Sequence, residues 1–200
     1  MHIKRFYPKD ERFFRVLSIS GNIKIEDANK IDISVSRLKN MEKDKLIERV
    51  SYPSRYNKQS ESNKCYVLTK KGKEFIAQKY GINRCQSSHA AEHNCKVAEM
   101  ICNLDKKEID SIQSEWETRD QMVEALDQMR QEGDYDRYDY YMDLWKNGKI
   151  GAVDIVYTSK ATQQLAGVEV VTSNYKDADI QSKELCSEIL DIEVEYVQVV

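Results

Sequence analysis

An α+β chain in two parts is what this sequence predicts, and three observations carry that reading. Charge is split: residues 1 to 88 hold 20 Lys and Arg against 10 Asp and Glu, whereas residues 89 to 200 hold 11 against 24. Apolar residues recur at helical spacing through the first forty residues and then give way to short β-rich runs. The second half interleaves helical stripes with runs such as IGAVDIVYT and LAGVEVVTS, which read as strands. The net charge of −3 therefore conceals a basic front and an acidic rear. A cationic module suits a polyanionic partner that an anionic module repels.

Two hundred residues are enough for two small cores. The expected domains are residues 1–84 and 85–200, with the polar stretch 81–88 as linker. No apolar run reaches the length that spans a bilayer. The opening MHIKRFYPKDERFF lacks the apolar centre of a signal peptide. Five cysteines, odd in number and without a CxxC pair, read as free thiols in a reducing cytoplasm.

Taken in order, Phe13, Phe14, Val16 and Leu17 predict a helix over 10–20, broken at Gly21-Asn22. A short helix follows over 25–31. Ser34 is the expected N-cap of a third, running to Lys43. Val35, Leu38 and Met41 would pack inward from it, leaving Ser36, Arg37, Lys39, Asn40 and Lys43 outside. These are residue types that bond phosphates and base edges. Residues 46–50 and 65–68 predict two strands around the polar stretch 51–64, and another helix begins near Lys73. The run KDKLIERV…CYVLTKKGKEFI resembles winged helix-turn-helix regulators over residues 10–80. That resemblance implies a recognition helix over 34–43, set in the major groove of double-stranded DNA. It implies a hairpin wing over 52–64, with Arg55, Tyr56, Asn57, Lys58 and Lys64 as contacts. Arg37 and Asn40 would read bases, while Lys39 and Lys43 hold phosphates. An ordinary solvated face is the alternative.

In the rear half, Val97, Met100, Ile101 and Leu104 predict one helix over 88–103, with Ser88 as its cap. Residues 110–118 predict a strand containing Ile112 and Trp116. Helical stripes follow at Met122, Ala125, Leu126 and Met129, and again at Tyr138, Tyr141, Met142 and Trp145. Strands are expected over 150–158 and 165–173, then a helix over 179–190 and a last strand over 193–200. Setting the two inserted helices aside, the order is αβββαβ. That order resembles the core of the PD-(D/E)xK nuclease superfamily. The resemblance implies catalytic acids at Asp154, Glu169 and Glu99, or at Glu92 in place of Glu99. It also implies Mg2+ held by Asp154 and Glu169. Val171 stands where the superfamily has Lys, with Lys160 or Lys176 as substitutes from elsewhere. An acid on the wet face of a strand is the plain alternative.

The arrangement of a winged helix, HAAEHN, a Trp-bearing strand, VD and VEVV is similar to replication-relaxation proteins of mobile elements, which implies a plasmid, transposon or phage context. His89 and His93 lie one turn apart, but no second ligand cluster accompanies them. The segment 133–145, GDYDRYDYYMDLW, reads as core aromatics or as a partner surface. The expected function is a cytoplasmic, sequence-specific DNA-binding regulator of transcription or replication, with a degenerate nuclease-like rear domain; the winged-helix resemblance also implies a homodimer. The alternative is a metal-dependent DNA endonuclease or nicking factor.

Overall fold

Residues 2–53 and 63–199 are described by the computed structural model. They form a mixed α+β chain that divides into two compact units, residues 1–110 and 111–199.

The first unit opens with α1 (Pro8–Ser20), α2 (Ile25–Lys30) and α3 (Val35–Lys43). Phe13, Phe14 and Leu17 on α1, Ile31 and Ile33 between helices, and Leu38 and Met41 on α3 are fully buried. Their burial is what selects helices from a sequence of ordinary propensity. Gly21 closes α1 at φ 79°, in the left-handed region that glycine adopts without strain. Ser34 caps α3 as expected, its hydroxyl accepting from the Arg37 amide at 3.3 Å. Next come β1 (Ile47–Tyr52) and β2 (Asn63–Leu68), an antiparallel pair in which Val50 faces Cys65 and Tyr52 faces Asn63. Helix α4 (Lys70–Tyr80) follows, capped by Thr69. Gly72 lets its first turn approach the preceding chain, because a Cβ there would lie 1.9 Å from the Leu46 carbonyl oxygen.

Two further helices, α5 (Ala91–Asn103) and α6 (Lys106–Asp110), complete this unit. The expected boundary after residue 84 set α5 with the rear domain, whereas α5 packs on α1 and α2. The packing includes a polar weld: Asn94 donates to Asn22 at 2.8 Å and to the Ser87 carbonyl at 2.6 Å. α5 begins at Ala91 with no side-chain cap, so Ser88 does not serve as its N-cap.

The second unit holds one four-stranded sheet in the order β3-β4-β5-β6. β3 (Gln113–Ser114), β4 (Ile155–Thr158) and β5 (Leu165–Val171) run antiparallel in turn, and β6 (Glu193–Gln198) lies parallel to β5. The strand expected over 110–118 shrinks to two residues. Ser114 and Glu117 form a capping box that starts α7 (Glu115–Glu132), so Trp116 sits on a helical first turn, exposed. α8 (Tyr135–Lys146) follows, and α9 (Asp177–Leu190) links β5 to β6. Met122, Leu126, Tyr141, Val153, Val156, Cys186 and Ile189 meet in the core. The stripe expected on α8 faces the core, with Tyr141 buried and Tyr138, Met142 and Trp145 packed against it, while Tyr135 and Tyr140, outside that stripe, are exposed.

Candidate nucleic-acid interface and buried acid pair

On α3 the inward side is narrower than its spacing predicts. Leu38 and Met41 are buried, whereas Val35, expected inside, is 42% exposed. The opposite side presents Ser36, Lys39 and Lys43 to solvent, with Asn40 half-buried between them. A nine-residue helix spans about 14 Å, enough to place several side chains along a groove.

Arg37 lies elsewhere in this arrangement. Its guanidinium grips the fully buried carboxylate of Asp10, with Nε 2.8 Å from Oδ1 and a terminal nitrogen 2.6 Å from Oδ2. It also donates to the Arg5 carbonyl at 2.8 Å and lies over the rings of Phe6 and Tyr7. Asp10 accepts the Tyr7 amide at 2.7 Å as well. Arg37 therefore clamps the N-terminal segment to α1 and α3, and its fork is not presented for a guanine edge. Of the expected hairpin contacts, Lys64 lies exposed on β2, and Arg55, Tyr56, Asn57 and Lys58 fall outside the described residues. His89 is exposed and His93 lies beside Asn94, its Nδ1 3.4 Å from the amide oxygen.

In the second unit, Asp154 and Glu169 do converge. Asp154 sits at the bend just before β4, and Glu169 is fully buried in β5. Each carboxylate accepts from the other strand's backbone: Asp154 N–H donates to Glu169 Oε2 at 2.9 Å, and Val170 N–H donates to Asp154 Oδ2 at 2.8 Å. Two side chains complete the site. Tyr175 Oη donates to Glu169 Oε1 at 2.6 Å, and Lys183 Nζ lies 3.0 Å from the same oxygen. Lys183 also donates to the Ala152 carbonyl. Gly151 permits that reach, since its Cβ would stand 2.9 Å from Ser182 Oγ on α9. Burial, and then the charge of Asp154, hold the Glu169 carboxyl above its ordinary range, against the pull of Lys183 and Tyr175. Burial and the bond to Glu169 push the Tyr175 phenol upward.

Lys183 and Tyr175 were missed from the sequence. A signal existed for Lys183: it shares a stripe with Cys186 and Ile189 at helical spacing, so it points inward on an otherwise apolar face of α9. Lys160 and Lys176, the expected substitutes for the strand lysine, are both exposed. Glu99 belongs to α5 of the first unit, where Lys96 Nζ lies 3.1 Å from it, and Glu92 is half-buried on the same helix.

A Mg2+ ion on the acid pair would have to share or displace protein donors. Both Glu169 oxygens and one Asp154 oxygen already accept protein donors. Among the described residues, no group of three or more His, Cys, Asp or Glu side chains is placed to hold a metal ion. No described helix is long and apolar enough to cross a membrane. No family model matches the chain, and neither a curated protein nor a solved structure matches it.

Proposed function

We propose that the chain is a sequence-specific DNA-binding regulator of transcription or replication, with the first unit as a winged helix and α3 as its recognition helix. One observation carries the reading: Ser36, Lys39, Asn40 and Lys43 lie outward on a helix whose other side is anchored by Leu38 and Met41. Three helices followed by an antiparallel hairpin and a further helix agree with that fold. Net charge supports it too, since residues 1–110 hold 23 Lys and Arg against 15 Asp and Glu. The second unit is then a nuclease-like domain whose acids have been turned to structural use, with Glu169 held in place by Lys183 and Tyr175.

Fluorescence anisotropy with a random-sequence duplex tests the first part. Binding should weaken steeply with salt, and Lys39→Ala or Lys43→Ala should each lower the slope of log K against log salt by about 1. Binding without salt dependence, or unchanged slopes in both variants, overturns the assignment of α3.

A metal-dependent nuclease is the second reading, favoured by the meeting of Asp154, Glu169 and Lys183. Plasmid cleavage in Mg2+ or Mn2+ that disappears in Asp154→Ala would establish it over the first.

A further inference from the structure

Two thiols meet behind the hairpin of the first unit. Cys65 on β2 and Cys95 on α5 are each only 1% exposed and pack in one buried cluster with Tyr52 of the other strand. Asn22 Nδ2 donates to Cys65 Sγ at 3.3 Å, and the Asn22 side chain is itself fixed by Asn94. Val50 and Ala91 pack around the group. The neighbouring Cys95, helped by Asn22, lowers the Cys65 thiol to about 7, while Cys65 and burial raise Cys95. A thiolate-forming cysteine thus stands beside a resolving thiol. Burial raises the thiols of Cys85 and Cys102.

We propose that Cys65 and Cys95 are a redox modification site, joined by a peroxide into a reversible disulfide that staples the hairpin to α5. The Cys65 thiolate attacks one peroxide oxygen, the O–O bond breaks, and hydroxide departs, leaving a sulfenic acid. The Cys95 sulfur then attacks the Cys65 sulfur, the S–O bond breaks, and the Cys95 proton leaves with that oxygen as water. Two thiols lose two electrons, and one peroxide becomes two waters. A reducing dithiol reverses the change by exchange. Hydrogen peroxide is small and uncharged, which suits a site closed to bulky reagents. Cys65 pairs with Val50, and Tyr52 with Asn63 just beyond, so the bond would hold the base of the hairpin. The site stands on its own whether or not this unit binds DNA.

Peptide mapping of the full chain after stoichiometric hydrogen peroxide tests this. Trypsin cuts after Lys64, Lys70, Arg84 and Lys96, so the bond joins peptide 65–70 to peptide 85–96. Because the latter also contains Cys85, the mapping is repeated in Cys85→Ser. The linked pair should form in wild type and in Cys85→Ser, vanish on treatment with dithiothreitol, and be missing in Cys95→Ser. Cys65 in that last variant should stop at a sulfenic acid, read as a gain of one oxygen on peptide 65–70. No link in wild type, or a link lost in Cys85→Ser, overturns the proposal. Should Cys95→Ser fail to fold by circular dichroism, the wild-type and Cys85→Ser arms decide alone.

Discussion

Arg37 and Lys39 share one helix and differ in what they touch. Arg37 neutralises a carboxylate that is wholly buried, and only 17% of its side chain reaches solvent. Truncating it leaves the enclosed Asp10 carboxyl without its cation, which in such pairs costs about 3–5 kcal/mol. Urea denaturation of Arg37→Ala should show a loss of about 3 kcal/mol, whereas Lys39→Ala should leave stability nearly unchanged and weaken DNA binding. A loss below about 1 kcal/mol in Arg37→Ala would mean the clamp is incidental. Glu169 poses a different problem. Its carboxyl is held above the ordinary value of 4.5 in the native state. As pH rises through 4.5 the unfolded chain releases this proton first, while the native chain retains it. The unfolded state is thereby favoured, so the Glu169 contribution to stability is full below 4.5 and declines as pH climbs through the raised native value. Glu169→Gln removes that proton from both states. The stability of wild type relative to Glu169→Gln should therefore fall with pH above 4.5. If that difference rises instead, Lys183 outweighs burial and Asp154, and the site is a true ion pair.

At the scale of elements, local chemistry explains which parts of the fold could be read in advance. α3 was legible because Ser34 caps it and Leu38 and Met41 repeat at helical spacing. β5 was legible because LAGVEVV is a buried β-rich run bounded by polar turns. The stretch around Trp116 was misread: Ile112 and Trp116 suit a strand, but the Ser114–Glu117 capping box satisfies the helix terminus locally and wins. The placement of α5 was hidden for another reason. Its apolar stripe gives the need for a partner but not the partner, and α1 and α2 supply it. The same limit applies to the acid pair. Asp154 and Glu169 could be picked out as charges in apolar strands. Lys183 lies on the next helix, and only the close passage at Gly151 brings it to them. Arg37 was misassigned because the sequence gives no sign that Asp10 is buried within its reach.

For the molecule as a whole, the division at residue 110 and the division of charge make one joint expectation. A chain ending at residue 84 keeps α1 to α4 but loses Asn94, whose amide satisfies Asn22, and uncovers the buried side of α1 and α2. A chain ending at 110 keeps those contacts, together with the Arg12–Asp110 pair at 2.8 Å. Thermal unfolding should thus be cooperative for residues 1–110 and broad or absent for 1–84. The removed residues 111–200 hold 8 Lys and Arg against 19 Asp and Glu. Their loss takes away a net negative charge that opposes any phosphate backbone. Residues 1–110 should therefore bind a random duplex more tightly than the full chain at about 50 mM salt, and the gap should close as salt shortens the Debye length toward about 3 Å near 1 M. Anisotropy titrations across that range measure both curves. Curves that coincide at low salt would mean that the acidic unit does not modulate the encounter with DNA. A fragment that unfolds cooperatively yet binds no duplex at any salt would remove DNA as the partner of the first unit.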